Sequence, residues 1–156
     1  MIKLKIAIAS DHRGVELKKE LLAYLLSKGY EVKDCSEVNT PDDDYPDFVV
    51  QVCQSILKKE SDLGILICRT GIGMSIAANK IKGIYCGRVV NENEAQLARE
   101  DNGVNVITID SWEGMTPELA KKIIETFINT PPLSHDRHLR RFNKIIKIEN
   151  GAYNDL

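Results

Sequence analysis

Cys68 ends an apolar run, Leu63-Gly64-Ile65-Leu66-Ile67. Arg69-Thr70-Gly71-Ile72-Gly73 follows, and then Met74-Ser75-Ile76-Ala77-Ala78-Asn79-Lys80. The pattern reads as a buried strand, a tight glycine loop and a helix. Glycines at 71 and 73 let backbone N–H groups come close to a ligand, and a helix start adds positive potential. The same potential favours a thiolate, so Cys68 is expected to ionise near neutral pH. A basic atom beside a row of N–H donors suits proton abstraction next to a carbonyl. The base takes a carbon-bound proton, and the donors hold the enediolate oxygen that forms. The loop lacks the third glycine of the dinucleotide fingerprint, and no Gly-Lys-Ser/Thr follows it as in a Walker loop. Taken alone, it favours a plain strand-to-helix turn with a buried, inert cysteine.

A second set of chemistry-bearing residues lies near the C-terminus. Arg137 and Arg141 are four apart, hence adjacent on a helix surface, and paired guanidinium groups suit a phosphate. A solvated charged face is the plain alternative. Nucleic acid is a third, disfavoured by a net charge of -2 and few aromatics. His135 and His138 have no carboxylate or cysteine at helical spacing to complete a metal site.

Strand and helix patterns alternate along the chain and would position these groups. Apolar runs at 3–10, 30–34, 63–68, 84–90 and 104–109 read as strands. Helical spacing covers 15–28, 47–59, the stretch after the glycine loop, 93–99 and a segment opened by Thr116-Pro117. Residues 35–46 read as loop. The alternation predicts an α/β fold: a doubly wound, Rossmann-like parallel sheet of five strands in the order 2-1-3-4-5. Ligands of such sheets bind beyond the C-terminal strand ends, where strands 1 and 3 diverge. Asp11-His12 closes strand 1 and Cys68 closes strand 3, so the fold brings them together. That convergence turns the balance toward a functional cysteine.

A further helix from about 134 to 148 has no strand after it and is an appendage to the sheet. Leu139, Phe142, Ile145 and Ile146 fall on one arc of it, apart from Arg137, Arg141 and Lys144. A partner subunit or the chain's own domain would cover that arc equally well.

The 156 residues suggest one domain, 1–156, and 43% hydrophobic with 28% charged residues is ordinary for a globular protein. No signal peptide or membrane-spanning run is visible, so a cytoplasmic location without membrane association is expected. Cys35, Cys53, Cys68 and Cys86 are widely spaced and read as reduced thiols.

Together these residues resemble the ribose-5-phosphate isomerase B family, which includes the galactose-6-phosphate isomerase subunits. The resemblance spans nearly the whole chain. It rests on Ser10-Asp11-His12-Arg13-Gly14, Asp44-Tyr45-Pro46, the stretch from Gly64 through Cys68 and Thr70-Gly71-Ile72-Gly73 to Lys80, Ala98-Arg99 with Asn102, Asn105-Val106, and Arg137-His138 with Arg141. It implies an aldose–ketose isomerase of phosphorylated sugars, most simply ribose 5-phosphate to ribulose 5-phosphate, using neither metal nor organic cofactor. Cys68 would be the base and Thr70 would help move protons at the substrate oxygens. Amides around Gly71 and Gly73 would hold the enediolate. Asp11 and Asn102 would bind sugar hydroxyls, and Tyr45 would line the pocket. His12, Arg137 and Arg141 would grip the phosphate. A homodimer, or a dimer of dimers, would build each site from two chains.

Two positions depart from the family's pattern. Arg69 stands where glycine is usual, and Asp101 where a ring-opening histidine is usual. Aspartate, with an ordinary pKa of roughly 3.9, accepts a proton less readily at neutral pH. The departures leave open a sugar-phosphate-binding relative with low or altered activity. A flavodoxin-like receiver or flavin module is a further alternative by strand order. It is disfavoured by the single Asp-His after strand 1 and by Thr108-Ile109-Asp110, which offers no lysine.

Overall fold

The computed structural model describes residues 3–154. Strands and helices alternate as β1 (Lys5–Ser10), α1 (Val15–Ser27), β2 (Glu31–Asp34), α2 (Tyr45–Leu57), β3 (Leu63–Cys68), α3 (Ile72–Asn79), β4 (Cys86–Arg88), α4 (Glu92–Glu100), β5 (Val106–Asp110), α5 (Pro117–Asn129) and α6 (Asp136–Glu149).

The five strands form one parallel sheet in the order β2-β1-β3-β5-β4. This corrects the expected 2-1-3-4-5: the last two strands exchange places. Val106, Ile107, Thr108 and Ile109 are all buried, so β5 needs a neighbour on each side. β4 is only Cys86-Gly87-Arg88 and is partly open, as suits an edge strand. The divergence of β1 and β3 is unaffected.

Alternate residues of each strand serve opposite faces. Ile6, Ile8, Ile65, Ile67, Ile107 and Ile109 pack with Leu21, Leu25, Ile123, Ile124 and Phe127, the inward residues of α1 and α5. Ala7, Ala9, Leu66 and Val106 pack with Val49, Val52, Cys53, Met74 and Ala78 of α2 and α3, and Cys68 belongs to this second face. Each fully buried Ile or Leu contributes about 1.5–3 kcal/mol.

Helix α2 starts at Tyr45, two residues before the expected 47. Pro46 suits the first helical turn, where a missing N–H costs nothing, so Tyr45-Pro46 opens the helix instead of closing the loop. Helix α6 leans on the body at a few points. Phe142 meets Tyr85 edge-to-face at 4.7 Å. Glu149 accepts hydrogen bonds from the Tyr85 hydroxyl and the Gly83 amide, both at 2.9 Å. The apolar arc is therefore divided: Phe142 and Ile146 are half-buried, while Leu139 and Ile145 stay 48% and 41% exposed. Among the described residues no helix is long and apolar enough to cross a membrane.

Candidate active site

The C-terminal ends of β1, β3 and β5 are tied together. The Asp11 amide donates to the Ile67 carbonyl at 3.1 Å, and the Ser111 amide to the Cys68 carbonyl at 2.9 Å. These bonds extend the sheet ladder and bring Asp11 next to Cys68. The Cys68 side is only 5% exposed, and its Sγ accepts the Gly71 N–H at 3.2 Å. Gly71 caps α3 in the left-handed region, at φ 73°. That backbone turn aims its N–H back at the sulfur, and a side chain there would be strained. Its carbonyl accepts from the Thr108 hydroxyl at 2.7 Å, which pins the loop to β5.

Tyr45 covers the other glycine. A Cβ on Gly73 would lie 2.6 Å from Tyr45 Cζ, so only glycine lets the ring rest there. The Thr70 hydroxyl accepts the Ile72 N–H at 3.2 Å, and the Thr70 carbonyl accepts from Arg88 Nε at 2.7 Å. Asp11 is 6% exposed, and its carboxylate accepts the Arg13 N–H at 2.9 Å. His12 is held by Asp43: Nδ1 lies 2.7 Å from Oδ1, which also accepts the His12 amide at 3.0 Å.

Burial raises the Cys68 thiol above its ordinary pKa, more than the N–H groups of Met74, Gly71 and Thr70 lower it; the Asp11 charge adds to the rise. This corrects the expectation of a thiolate near neutral pH. A helix start favours the anion, but here a dry sheet edge and a neighbouring acid oppose it. Burial likewise raises Asp11, against the Arg13 amide. Burial alone pushes the Cys53 thiol up to about 12, with no N–H to offset it. Among these thiols Cys68 keeps a set of backbone donors at the mouth of a helix.

Asp101, Asn102, Arg137 and Arg141 are elsewhere. Asp101 caps α4 and precedes β5, so it lies at the N-terminal edge of the sheet. That edge is a strand length, roughly 15 Å, from Cys68. The start of α6 is anchored to the same edge: the Leu133 amide donates to the Arg99 carbonyl at 3.1 Å and the Ser134 amide to the Glu100 carbonyl at 3.2 Å. Arg137 and Arg141 are therefore there as well, both exposed. Asn102 faces a groove of about 440 Å³ along β4, also lined by Arg88, Leu97 and Ile145. The fold brings Asp11, His12, Tyr45, Cys68, Thr70, Gly71 and Gly73 to one edge and leaves the other four on the opposite one.

Two pairings escape a reading along the sequence. Asp101 Oδ1 lies 3.3 Å from Nε2 of His138, whose ring is 3% exposed and stacks edge-on against His135. Arg69 lies flat on Trp112, its Cζ 3.9 Å from the ring centre. Both join residues far apart in sequence. Spacing offers His138 only as a metal ligand beside His135, a site with nothing to complete it, and nothing in spacing points to Asp101.

Comparison with known proteins follows the same lines. A family profile described as Ribose/Galactose Isomerase matches residues 6–145. Ribose-5-phosphate isomerase B of Escherichia coli is 39% identical over 145 residues, 93% of this chain and 96% of that one. A ribose 5-phosphate isomerase from Thermotoga maritima superposes with a TM-score of 0.87 at 45% identity, covering 92% of this chain and 98% of that one. The Mycoplasma genitalium ribose-5-phosphate isomerase B, solved with bound ribulose-5-phosphate, gives 0.89 at 39% identity over 96% of this chain and 99% of its own. With the profile spanning most of its length and relatives alike from end to end, the chain belongs to the ribose/galactose isomerase family.

Proposed function

We propose that the chain interconverts ribose 5-phosphate and ribulose 5-phosphate through an enediolate, as an isomerase of the B type. The observation that carries this reading is the Cys68 sulfur, held by the Gly71 N–H at the start of α3, in a chain of this family. In the open-chain aldose the Cys68 thiolate takes the proton from C2. The C–H electron pair forms the C1–C2 double bond, and the carbonyl electrons move to O1. Amides around Gly71 and Gly73 hold the charged oxygen. Cys68 returns the proton to C1, O2 becomes the carbonyl, and its proton passes to O1 with the help of the Thr70 hydroxyl. Asp11 and Asn102 bind sugar hydroxyls, and Tyr45 walls the pocket. His12, Arg137 and Arg141 grip the phosphate.

A second copy of the chain supplies Asp101, Asn102, Arg137 and Arg141 to each Cys68, making the working unit a homodimer. Three features support this: the separation of the two residue sets by the depth of the sheet, the exposed Leu139 and Ile145 on α6, and the apolar groove along the β4 edge. Two such dimers could pair further. Asp101, backed by His138, takes the ring-opening position. The free thiols of Cys35, Cys53, Cys68 and Cys86 suit a reducing cytoplasm.

The test is turnover of ribose 5-phosphate by the purified chain in D2O, followed by NMR. Ribulose 5-phosphate is the expected product, with deuterium at C1 to the extent that the Cys68 thiol exchanges with solvent before it returns the proton. Binding without turnover would instead identify a sugar-phosphate binder that has lost the reaction.

A further inference from the structure

A cleft of about 310 Å³ is lined by Arg13, Arg69, Ser111, Trp112 and Glu113, residues that follow β1, β3 and β5. It lies at the C-terminal ends of β1, β3 and β5. Its walls are stitched to the reacting centre: the Ser111 amide donates to the Cys68 carbonyl at 2.9 Å, and the Ser111 hydroxyl to the Arg13 carbonyl at 3.0 Å. Arg69 follows Cys68 directly, and its guanidinium is laid flat on the Trp112 ring at 3.9 Å. Such stacking leaves the guanidinium edge, with its N–H donors, free to point at a ligand. Among the described residues, no carboxylate lies within ion-pair distance of Arg13 or Arg69. Glu113 shares the lining, so two guanidinium groups against one carboxylate leave the cleft net positive.

We infer that Arg69 and Arg13, with Trp112 as the stacking platform, add a further set of contacts to the sugar phosphate that His12, Arg137 and Arg141 grip. The inference rests on the isomerase reading and assigns a role to Arg69 within it. A planar guanidinium fixed by a ring loses little freedom when a phosphate binds, which is why stacking strengthens the clamp. Lysine, a point charge on a flexible stem, would replace it only in part.

Trp112 is the single tryptophan of the chain, so intrinsic fluorescence reports on this cleft. Inorganic phosphate titrated into the wild-type protein should change that fluorescence saturably. Arg69→Leu should raise the apparent Kd about 10- to 100-fold, the effect of losing one charged hydrogen-bonded contact. Arg69→Lys should fall between the two. In turnover with ribose 5-phosphate, the loss in Arg69→Leu should appear in KM more than in kcat. An absent fluorescence response in the wild type, or the same phosphate Kd in all three proteins, would overturn the assignment. The titration needs no turnover. A chain that binds phosphate through Arg69 but does not isomerise ribose 5-phosphate would refute the isomerase reading and leave the cleft standing.

Discussion

At the C-terminal edge of the sheet, Asp11, Tyr45, Cys68 and Thr70 are gathered by one chain, each tied in place by backbone hydrogen bonds or close packing. At the N-terminal edge, Asp101 and His138 are paired, while Arg137 and Arg141 stand exposed on α6. On the proposed reading the first edge supplies the base and the oxyanion donors. The second has cations and a backed carboxylate. Parallel strands impose this division. Whatever follows a strand lands on one edge, and whatever precedes one lands on the other. No local motion carries a residue across the depth of a packed sheet. In the proposed homodimer a two-fold axis would do so with a single surface used twice, completing two sites at once.

The comparison breaks most sharply at Cys68. Cys68→Ala should lower kcat by about 10²–10⁴-fold in the isomerase assay, while sugar-phosphate binding by calorimetry is kept. Near wild-type turnover would remove the base from the first edge. The second edge weighs less: Arg141→Ala should weaken ribose 5-phosphate binding about 10- to 100-fold, leaving the circular dichroism spectrum intact. An unchanged dissociation constant would mean that this arginine is only a solvated face.

Mixing these two variants sharpens the contrast. If the edges of different chains combine, a dimer with one subunit of each type has one site with both defects and one with neither. Subunit exchange should then restore activity to about a quarter of the wild-type level at low substrate. Persisting inactivity after verified exchange would place both sets in one chain.

Asp101 should show a smaller and more selective effect. Asp101→Asn should slow turnover of ribose 5-phosphate, which is mostly cyclic, more than it slows exchange of the C1 proton of open-chain ribulose 5-phosphate with D2O, a step that needs no ring chemistry. An equal loss in turnover and exchange would deprive Asp101 of a ring-opening role. The mildest effect is on pH. A thiol with a raised pKa is mostly protonated at neutral pH, and its thiolate fraction grows as pH rises toward that value. kcat/KM should therefore climb through the alkaline range until the thiol is fully ionised or the fold is lost. A profile flat from neutral pH upward would show that another group carries the proton.

The first edge was largely legible in the sequence. Strand ends, a glycine loop and helix starts are local patterns, and they located Asp11, Cys68 and Gly71 next to one another. The second edge was legible only as a list of residues. The order of β4 and β5 depends on which strand needs two neighbours, and the apolar run over 84–90 hid how little of it pairs. The Asp101–His138 and Arg69–Trp112 contacts join segments whose spacing carries no periodic signal. A helix start is visible in sequence, whereas the dryness of a sheet edge, which raises the Cys68 pKa, is not.

Helix α6 touches the body mainly through Phe142, Glu149 and His138, so little apolar surface holds it to its own chain. Such a segment forms its own opening unit, unfolding without the sheet. Its amides should exchange with solvent much faster than those of β3 in dilute protein. If a second copy covers Leu139 and Ile145, that exchange becomes a function of protein concentration, slowing as subunits associate, while β3 is indifferent. The arginines on α6 would then be ordered only in assembled protein, and dilution alone would switch off substrate binding before it unfolded the core.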